Sequence, residues 1–388
     1  MDTTVGASTR DELSRDPYPV YRRLRDEGAC VWLDAANRYV VPRWDDVVGL
    51  DEVPGITARE EPSLMTRAMG RTMLRTDGEE HARLRAPAHA PMRFRGFAER
   101  WGDMLAREAH DLLVPVRDRG HMDVLRDFAG PFAARTLKLL LGLHAARDED
   151  LEFASQAFID GIGNYADDAG TWERCERANR LVDEAITIDW GRAEDRTVLR
   201  ALIDAGTLSQ DEVRANVKLF ISGGLNEPRD VIATTLHALL ADPEQEALAR
   251  EDRENLAKAT EESLRWTSPI GMFPRVVHED TELGGVELAA GTRLGVLIAS
   301  ANRDERHWDD PDRFDLRRAT VRHLAFSRGP HVCPGAYVAR RQAADAALPA
   351  LLALPGIRLA TTDVRYQGWV FRGPARLDVT WHETDGAS

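Results

Sequence analysis

The feature that most restricts what this chain can fold into is the segment Phe326-Ser327-Arg328-Gly329-Pro330-His331-Val332-Cys333-Pro334-Gly335, followed by helix-forming sequence from Ala336. It sets a cysteine at a helix start, after a loop whose glycines and prolines break regular structure. Helix N-termini carry partial positive charge and unpaired N–H donors, which lower a thiol's pKa and hydrogen-bond a thiolate. Gly329 and Gly335 carry no side chain at positions where a flat ligand can lie against the backbone. Taken from the residues alone, the segment reads as a buried cysteine in a Gly/Pro loop or as a nucleophile with His331 as its base. His331 and Cys333 stand at i and i+2, so regular structure does not turn them toward each other, and no third orienting group is identifiable. Zinc is excluded, because Cys30 and Cys175 have no metal-ligand spacing around them.

The rest of the sequence describes a mainly α chain with small β-sheets. From about Glu80 to Thr260, apolar residues recur at three- and four-residue spacing, as in Met104 to Val114, Ala133 to Leu141, Leu181 to Ile188 and Val213 to Phe220, which predicts helices. Short strands are predicted at Cys30 to Leu33, Arg38 to Pro42, Thr281 to Leu288 around a Gly-Gly turn, Thr292 to Ile298, Arg358 to Ala360 and Arg376 to Trp381. With 388 residues, no internal repeat and no linker, a single domain over 1–388 is expected. No apolar run approaches the roughly 20 residues that span a bilayer, and the N-terminus has no secretory pattern, so no membrane and a cytoplasmic location are expected. Three scattered cysteines fit a reducing compartment. A net charge of -14 argues against nucleic acid as a general partner.

The cysteine segment resembles the haem-thiolate loop of the cytochrome P450 family, with Ser327 where that family usually has glycine. The resemblance implies the P450 fold, a triangular helix-rich domain, with haem b as cofactor and Cys333 as its iron ligand. Thiolate donation favours O–O cleavage. Three further constellations extend the resemblance over roughly residues 15 to 385. Glu262-Ser263-Leu264-Arg265 resembles the Glu-x-x-Arg pair, to which the downstream Pro311-Asp312-Arg313-Phe314 segment adds Arg313 in a structural network. His81 and Arg85, one helical turn apart, resemble the pair that grips the haem propionates, joined by Arg275 and His331. Phe326, Gly329 and Gly335 complete the implied haem contacts.

The third constellation is Phe220-Ile221-Ser222-Gly223-Gly224-Leu225-Asn226-Glu227-Pro228-Arg229-Asp230. Composition alone reads it as a break between two helices. The resemblance places it on a long helix over the oxygen side of the haem, where Gly223 and Gly224 leave room and Pro228, lacking an N–H, frees the Gly224 carbonyl. The family usually carries an acid followed by threonine here, a pair that relays protons. Aligned on Gly224, this chain has Asn226 and then Glu227, so Glu227 is the candidate acid/base. The plain alternative is that Glu227 turns away to an arginine such as Arg229.

No nucleotide-binding glycine fingerprint is present, so electrons are expected from outside. Between Leu316 and Ala344 stand six arginines (Arg317, Arg318, Arg322, Arg328, Arg340, Arg341) and no acid, a patch suited to an acidic iron-sulfur ferredoxin supplied by an NAD(P)H reductase. The resemblance marks Met65, Met69, Leu74, Gly223, Leu225, Ile270, Met272, Phe273, Trp369, Val370 and Phe371 as the substrate lining. An apolar, aromatic-rich lining suits a small apolar or aromatic substrate, although such stretches are equally ordinary core. The expected activity is a monooxygenase that uses O2 to hydroxylate or O-dealkylate that substrate. The alternatives are a peroxide-driven or oxidative-coupling enzyme of biosynthetic tailoring, prompted by Glu227, and a non-catalytic haem sensor or carrier.

Overall fold

The computed structural model describes residues 8–319 and 322–382, apart from the side chains of 94–100; the first residues read above for a secretory signal lie mostly outside it. Two compact units emerge. One comprises the chain up to Arg59, Ala233–Cys333 and Thr361–Leu377; the other comprises Glu60–Ile232, Pro334–Ala360 and the chain from Asp378.

The first unit is organised by a five-stranded sheet in the order Val31–Leu33, Arg38–Val41, Arg293–Val296, Phe273–Val277, Ile56–Thr57. Only the contact between Arg38–Val41 and Arg293–Val296 is parallel. Val41, Val277, Leu294 and Val296 bury their side chains in one core with Trp44, Ile298, Trp308 and Leu324. Gly295 is needed in this sheet, since a Cβ there would lie 2.6 Å from Met272 Sδ. The expected hairpin forms at Thr281–Leu283 and Val286–Leu288, with Gly284 and Gly285 both at positive φ, as a tight hairpin turn requires. The strand expected over Thr292 to Ile298 stops at Val296, and Ile298–Ala301 turns into a short buried helix. An all-apolar run does not distinguish the two states by periodicity.

The second unit is mostly helical: Gly78–Met92, Phe94–Leu113, Gly130–Leu141, Asp148–Ile162, Ala169–Asp189 and Gln210–Gly224. The helices with periodic apolar faces are those the spacing predicts. Two of them start on side-chain caps: Asp168 accepts from the Thr171 N–H, and Ser209 with Glu212 forms a reciprocal capping box. Gly161 lets two helices close together, because a Cβ there would fall 2.5 Å from Cys175 Sγ. His121–Asp123, Asp378–Thr380 and Arg358–Leu359 form a small antiparallel sheet in this unit. From Ala336 the chain is helical to Leu352, with a wider-wound stretch at Gln342–Ala347.

Candidate active site

The loop before Cys333 is built by two residues in left-handed conformation, Ser327 (φ 60°) and Gly329 (φ 63°). At Ser327 this conformation costs about 1–2 kcal/mol that glycine would avoid, so the departure from glycine is strained and still keeps the loop. Gly329 is required twice, by its φ and because a Cβ would come 2.5 Å from Asp51 Oδ2. The loop closes on itself: Ser327 N–H donates to Leu324 O at 2.8 Å, Val332 N–H to Gly329 O at 3.2 Å, and Cys333 N–H to Phe326 O at 2.8 Å. Arg328 Nη1 ties it to Val48 O at 2.5 Å. Two residues past Cys333, Gly335 caps the helix that begins at Ala336.

The first unit brings Arg275 to this loop. Arg275, Phe273, Val296 and Leu324 line one recess together with Ser327 and Arg328. His331 lies in the short turn Gly329–His331 just before the cysteine. In the second unit, His81 is buried and Arg85 half-buried one turn apart on Gly78–Met92. The three thiols differ in setting: Cys30 and Cys175 are buried, whereas Cys333 is half-exposed. Burial pushes the Cys30 thiol up to about 12, with Asp46 adding to the effect, and burial raises Cys175 too.

The Glu-x-x-Arg pair is fully formed. Arg265 Nε and Nη2 meet the two carboxylate oxygens of Glu262 at 2.8 Å each, and its remaining donors reach the carbonyls of Asn302 (3.0 Å), Pro311 (2.8 Å) and Arg313 (3.0 Å). Here the sequence reading needs a correction. Arg313 enters through its main-chain carbonyl, and its side chain is exposed. The second guanidinium on Glu262 belongs to Arg318, whose Nε lies 3.0 Å from Glu262 Oε1. The turn at Arg313 sends its side chain outward and lets Arg318 fold back, a reversal that spacing alone does not reveal.

At the oxygen-side segment, helix Gln210–Gly224 ends, Leu225 departs from helical φ (φ −118°, ψ −60°), and a second helix, Asn226–Ala241, begins. The break read from composition is therefore present, and the single long helix implied by resemblance is interrupted. Pro228 in the first turn has no N–H to return to Gly224, so the ladder resumes with Arg229 N–H on Leu225 O at 3.2 Å. Gly224 packs against Leu137, where a Cβ would fall 2.9 Å from its Cδ1. Arg229 does not take Glu227. Its Nε donates to Asp230 Oδ1 at 2.8 Å and its Nη1 to Asn226 Oδ1 at 2.9 Å. Both carboxylate oxygens of Glu227 are buried, with no hydrogen-bond partner on another residue among the described residues. Burial pushes this carboxyl up to about 7, with Asp230 raising it further and Arg229 opposing.

The expected substrate lining falls into two groups. In the second unit Met65 and Met69 are buried on the helix Leu64–Met69, Leu74 is half-buried, Leu225 is buried and Gly223 exposed. In the first unit Ile270 bridges Phe371, and Gly271 N–H donates to Val370 O at 2.8 Å. This pairing brings Ile270 to Phe273 beside Trp369 to Phe371. Met272 is a core residue here, buried with Tyr21, Val40 and Leu297, and Trp369 and Val370 pack partly against that same cluster.

A family model described as Cytochrome P450 matches residues 175–352. Cytochrome P450 107B1 of Saccharopolyspora erythraea is 32% identical over 394 residues, covering 95% of this chain and 96% of the relative. Nocardicin C N-oxygenase of Nocardia uniformis is 30% identical, covering 96% and 97%. Among solved structures, the myxobacterial cytochrome P450 CYP267B1 in complex with myristic acid superposes with a TM-score of 0.86 at 29% identity, covering 95% of this chain and 97% of that one. The chain thus belongs to the cytochrome P450 family, with the P450 fold, and is an oxidoreductase of the monooxygenase type. The family implies a haem cofactor. The donor set fits one in its thiol and its loop. A half-exposed thiol on a self-closed loop suits an iron whose remaining ligands a porphyrin brings. No helix of the described residues is long and apolar enough to cross a membrane.

Proposed function

We propose that residues 1–388 form one haem b domain that uses O2 to hydroxylate or O-dealkylate a small, largely apolar or aromatic substrate. Electrons come from an iron-sulfur ferredoxin and its NAD(P)H reductase in the cytoplasm. The observation that carries this reading is the self-closed loop that presents Cys333 half-exposed at the entry to a helix. Haem b, when bound, supplies oxygen activation at an iron made electron-rich by thiolate.

The residues divide that work. Cys333 ligates, with Phe326, Gly329 and Gly335 shaping the loop around it. His81, Arg85, Arg275 and His331 bind the propionates, where cationic donors make the strongest anion contacts. Glu262, Arg265 and the Arg313 carbonyl hold the surrounding chain. Met65, Met69, Leu74, Gly223, Leu225, Ile270, Phe273, Trp369, Val370 and Phe371 line the substrate space, with Met272 behind them. Gly224 offers a main-chain carbonyl that its own helix cannot use, and Asn226 an amide beside it. Glu227 holds and releases a proton at its carboxyl. A group that titrates near neutrality suits this role, since proton transfer is most effective when pKa and working pH match.

The same carboxyl favours a second reading. A base in place of the usual alcohol can take a proton from hydrogen peroxide, which supports a peroxide-driven or oxidative-coupling tailoring reaction without ferredoxin. The deciding experiment follows the absorption spectrum of the haem-loaded protein while small aromatics, terpenoids and cyclic dipeptides are added. Any ligand that shifts the iron's spin state is then assayed for product with ferredoxin, reductase and NAD(P)H, and separately with peroxide. Product only with the electron chain supports the first reading, and product only with peroxide supports the second. Spin shifts with neither product nor ligand-dependent NAD(P)H consumption would leave a haem sensor or carrier.

A further inference from the structure

The start of the helix Asn226–Ala241 concentrates charge that a helix rarely buries. Asp230 is buried and takes Arg229 Nε at 2.8 Å; Asn226 is buried and takes Arg229 Nη1 at 2.9 Å. Asn226 is in turn oriented from the neighbouring helix Asp148–Ile162, where Gln156 Oε1 accepts its amide at 3.5 Å. Glu152, on that same helix, adds negative charge near Arg229. Glu227 stands two residues from this arginine with neither oxygen bonded to another residue among those described. A buried carboxylate beside a guanidinium ordinarily forms the ion pair, because leaving a charge unpaired in the interior costs several kcal/mol. Here Nε and Nη1 of the guanidinium bond to positions 230 and 226, one turn apart, and no donor bonds to 227.

We infer that Asp230 and Asn226 hold the Arg229 guanidinium off Glu227, and that this clamp keeps the Glu227 carboxyl unpaired and able to exchange its proton. The inference rests on the proton-relay reading for its use, but the clamp itself is a property of this helix. Asp230 is then a positioning residue that acts through Arg229, besides raising the Glu227 carboxyl by its own charge. The charged groups bearing on Glu227 are Asp230 and Arg229, with Glu152 acting through Arg229.

The test is an infrared pH titration of the haem-loaded protein. The protonated-carboxyl stretch of Glu227 is assigned by its loss in Glu227→Gln and followed in wild type, Asp230→Asn, Arg229→Gln and the double variant. With the clamp, Asp230→Asn releases Arg229 onto Glu227 and moves the midpoint down by about one to three pH units, the usual effect of a close opposite charge. Arg229→Gln leaves the midpoint within about half a unit of wild type, since the sequestered arginine acts weakly, and the double variant returns most of the way to that value; a fall that persists in the double variant comes from loss of Asp230's own charge and overturns the clamp. A wild-type midpoint in Asp230→Asn overturns the clamp. So does a rise of more than about one unit in Arg229→Gln, a result that reads the idea even where Asp230→Asn does not fold. Turnover is read separately: a Glu227→Gln variant with wild-type rate and coupling removes the relay while the titration still judges the clamp.

Discussion

Cys30 and Cys175 share a residue type with Cys333 and nothing else. Burial holds both of the former in the thiol form, and Cys175 Sγ hydrogen-bonds Ala157 O at 3.1 Å, the behaviour of small apolar core residues. Cys333→Ala is therefore expected to lose the thiolate-haem absorption spectrum, while Cys30→Ala and Cys175→Ala keep it. Retention of that spectrum in Cys333→Ala would remove the ligand assignment. Glu227 gives a second residue-scale expectation through linkage. Its carboxyl is raised to about 7 in the folded chain, so between the ordinary carboxyl range and that value the folded state binds more protons than the unfolded one. The stability this proton supplies is present at acid pH and is lost as pH rises through the folded value. Glu227→Gln, which cannot ionise, should gain on wild type as the pH is raised from 5 to 8.5, by up to roughly 3 kcal/mol. Urea denaturation at both pH values measures this, and parallel pH profiles would show that Glu227 is not a desolvated acid.

The helix Arg253–Thr267 shows which parts of the structure were legible beforehand. Its apolar spacing and its Glu262 and Arg265 were readable, because i and i+3 on a helix share a face. The partner Arg318 was not, since the chain between Arg265 and Arg318 follows no period and its turns set which side chain comes back. The same contrast holds elsewhere. The Gly284-Gly285 hairpin and the periodic helices were readable from local chemistry, whereas the end of the Arg293–Val296 strand is fixed by tertiary packing. At Leu225 the local signal proved the better guide, since Gly-Gly before an Asn and a Pro does interrupt the helix. The network gives a graded expectation. Arg265→Ala leaves the buried Glu262 carboxylate with Arg318 on one oxygen alone and unpairs three carbonyls, and should cost about 3–5 kcal/mol, seen as poor accumulation of folded protein. Arg318→Ala should cost less, because Arg265 still neutralises Glu262. Arg313→Ala should stay within about 0.5 kcal/mol of wild type, as only its carbonyl is used. A large loss in Arg313→Ala would restore the side-chain role first assigned to it.

For the whole molecule, charge decides how the proposed ferredoxin approaches. A chain of net charge -14 repels an acidic partner at long range, so attraction must come from local arginines. The structure thins the patch that the sequence offers. Arg317 pairs with Glu244 at 2.7 Å, Arg318 with Glu262 at 3.0 Å, and Arg341 with Asp345, each already balanced within the chain. Arg322 is exposed, and Arg328 donates to a neutral carbonyl. The two effects have opposite salt dependence. The Debye length falls from about 30 Å at 0.01 M salt to about 8 Å at 0.15 M, which screens distant repulsion before close attraction. Association with an acidic ferredoxin, followed by stopped-flow reduction of the haem, should slow as salt rises if the local arginines dominate. On this docking geometry Arg322→Glu should reduce the rate constant several-fold at low salt, and Arg317→Glu much less, since Glu244 already offsets its charge. A rate that climbs with salt and ignores Arg322→Glu would mean that net repulsion governs the encounter, and that the partner docks away from the cysteine loop.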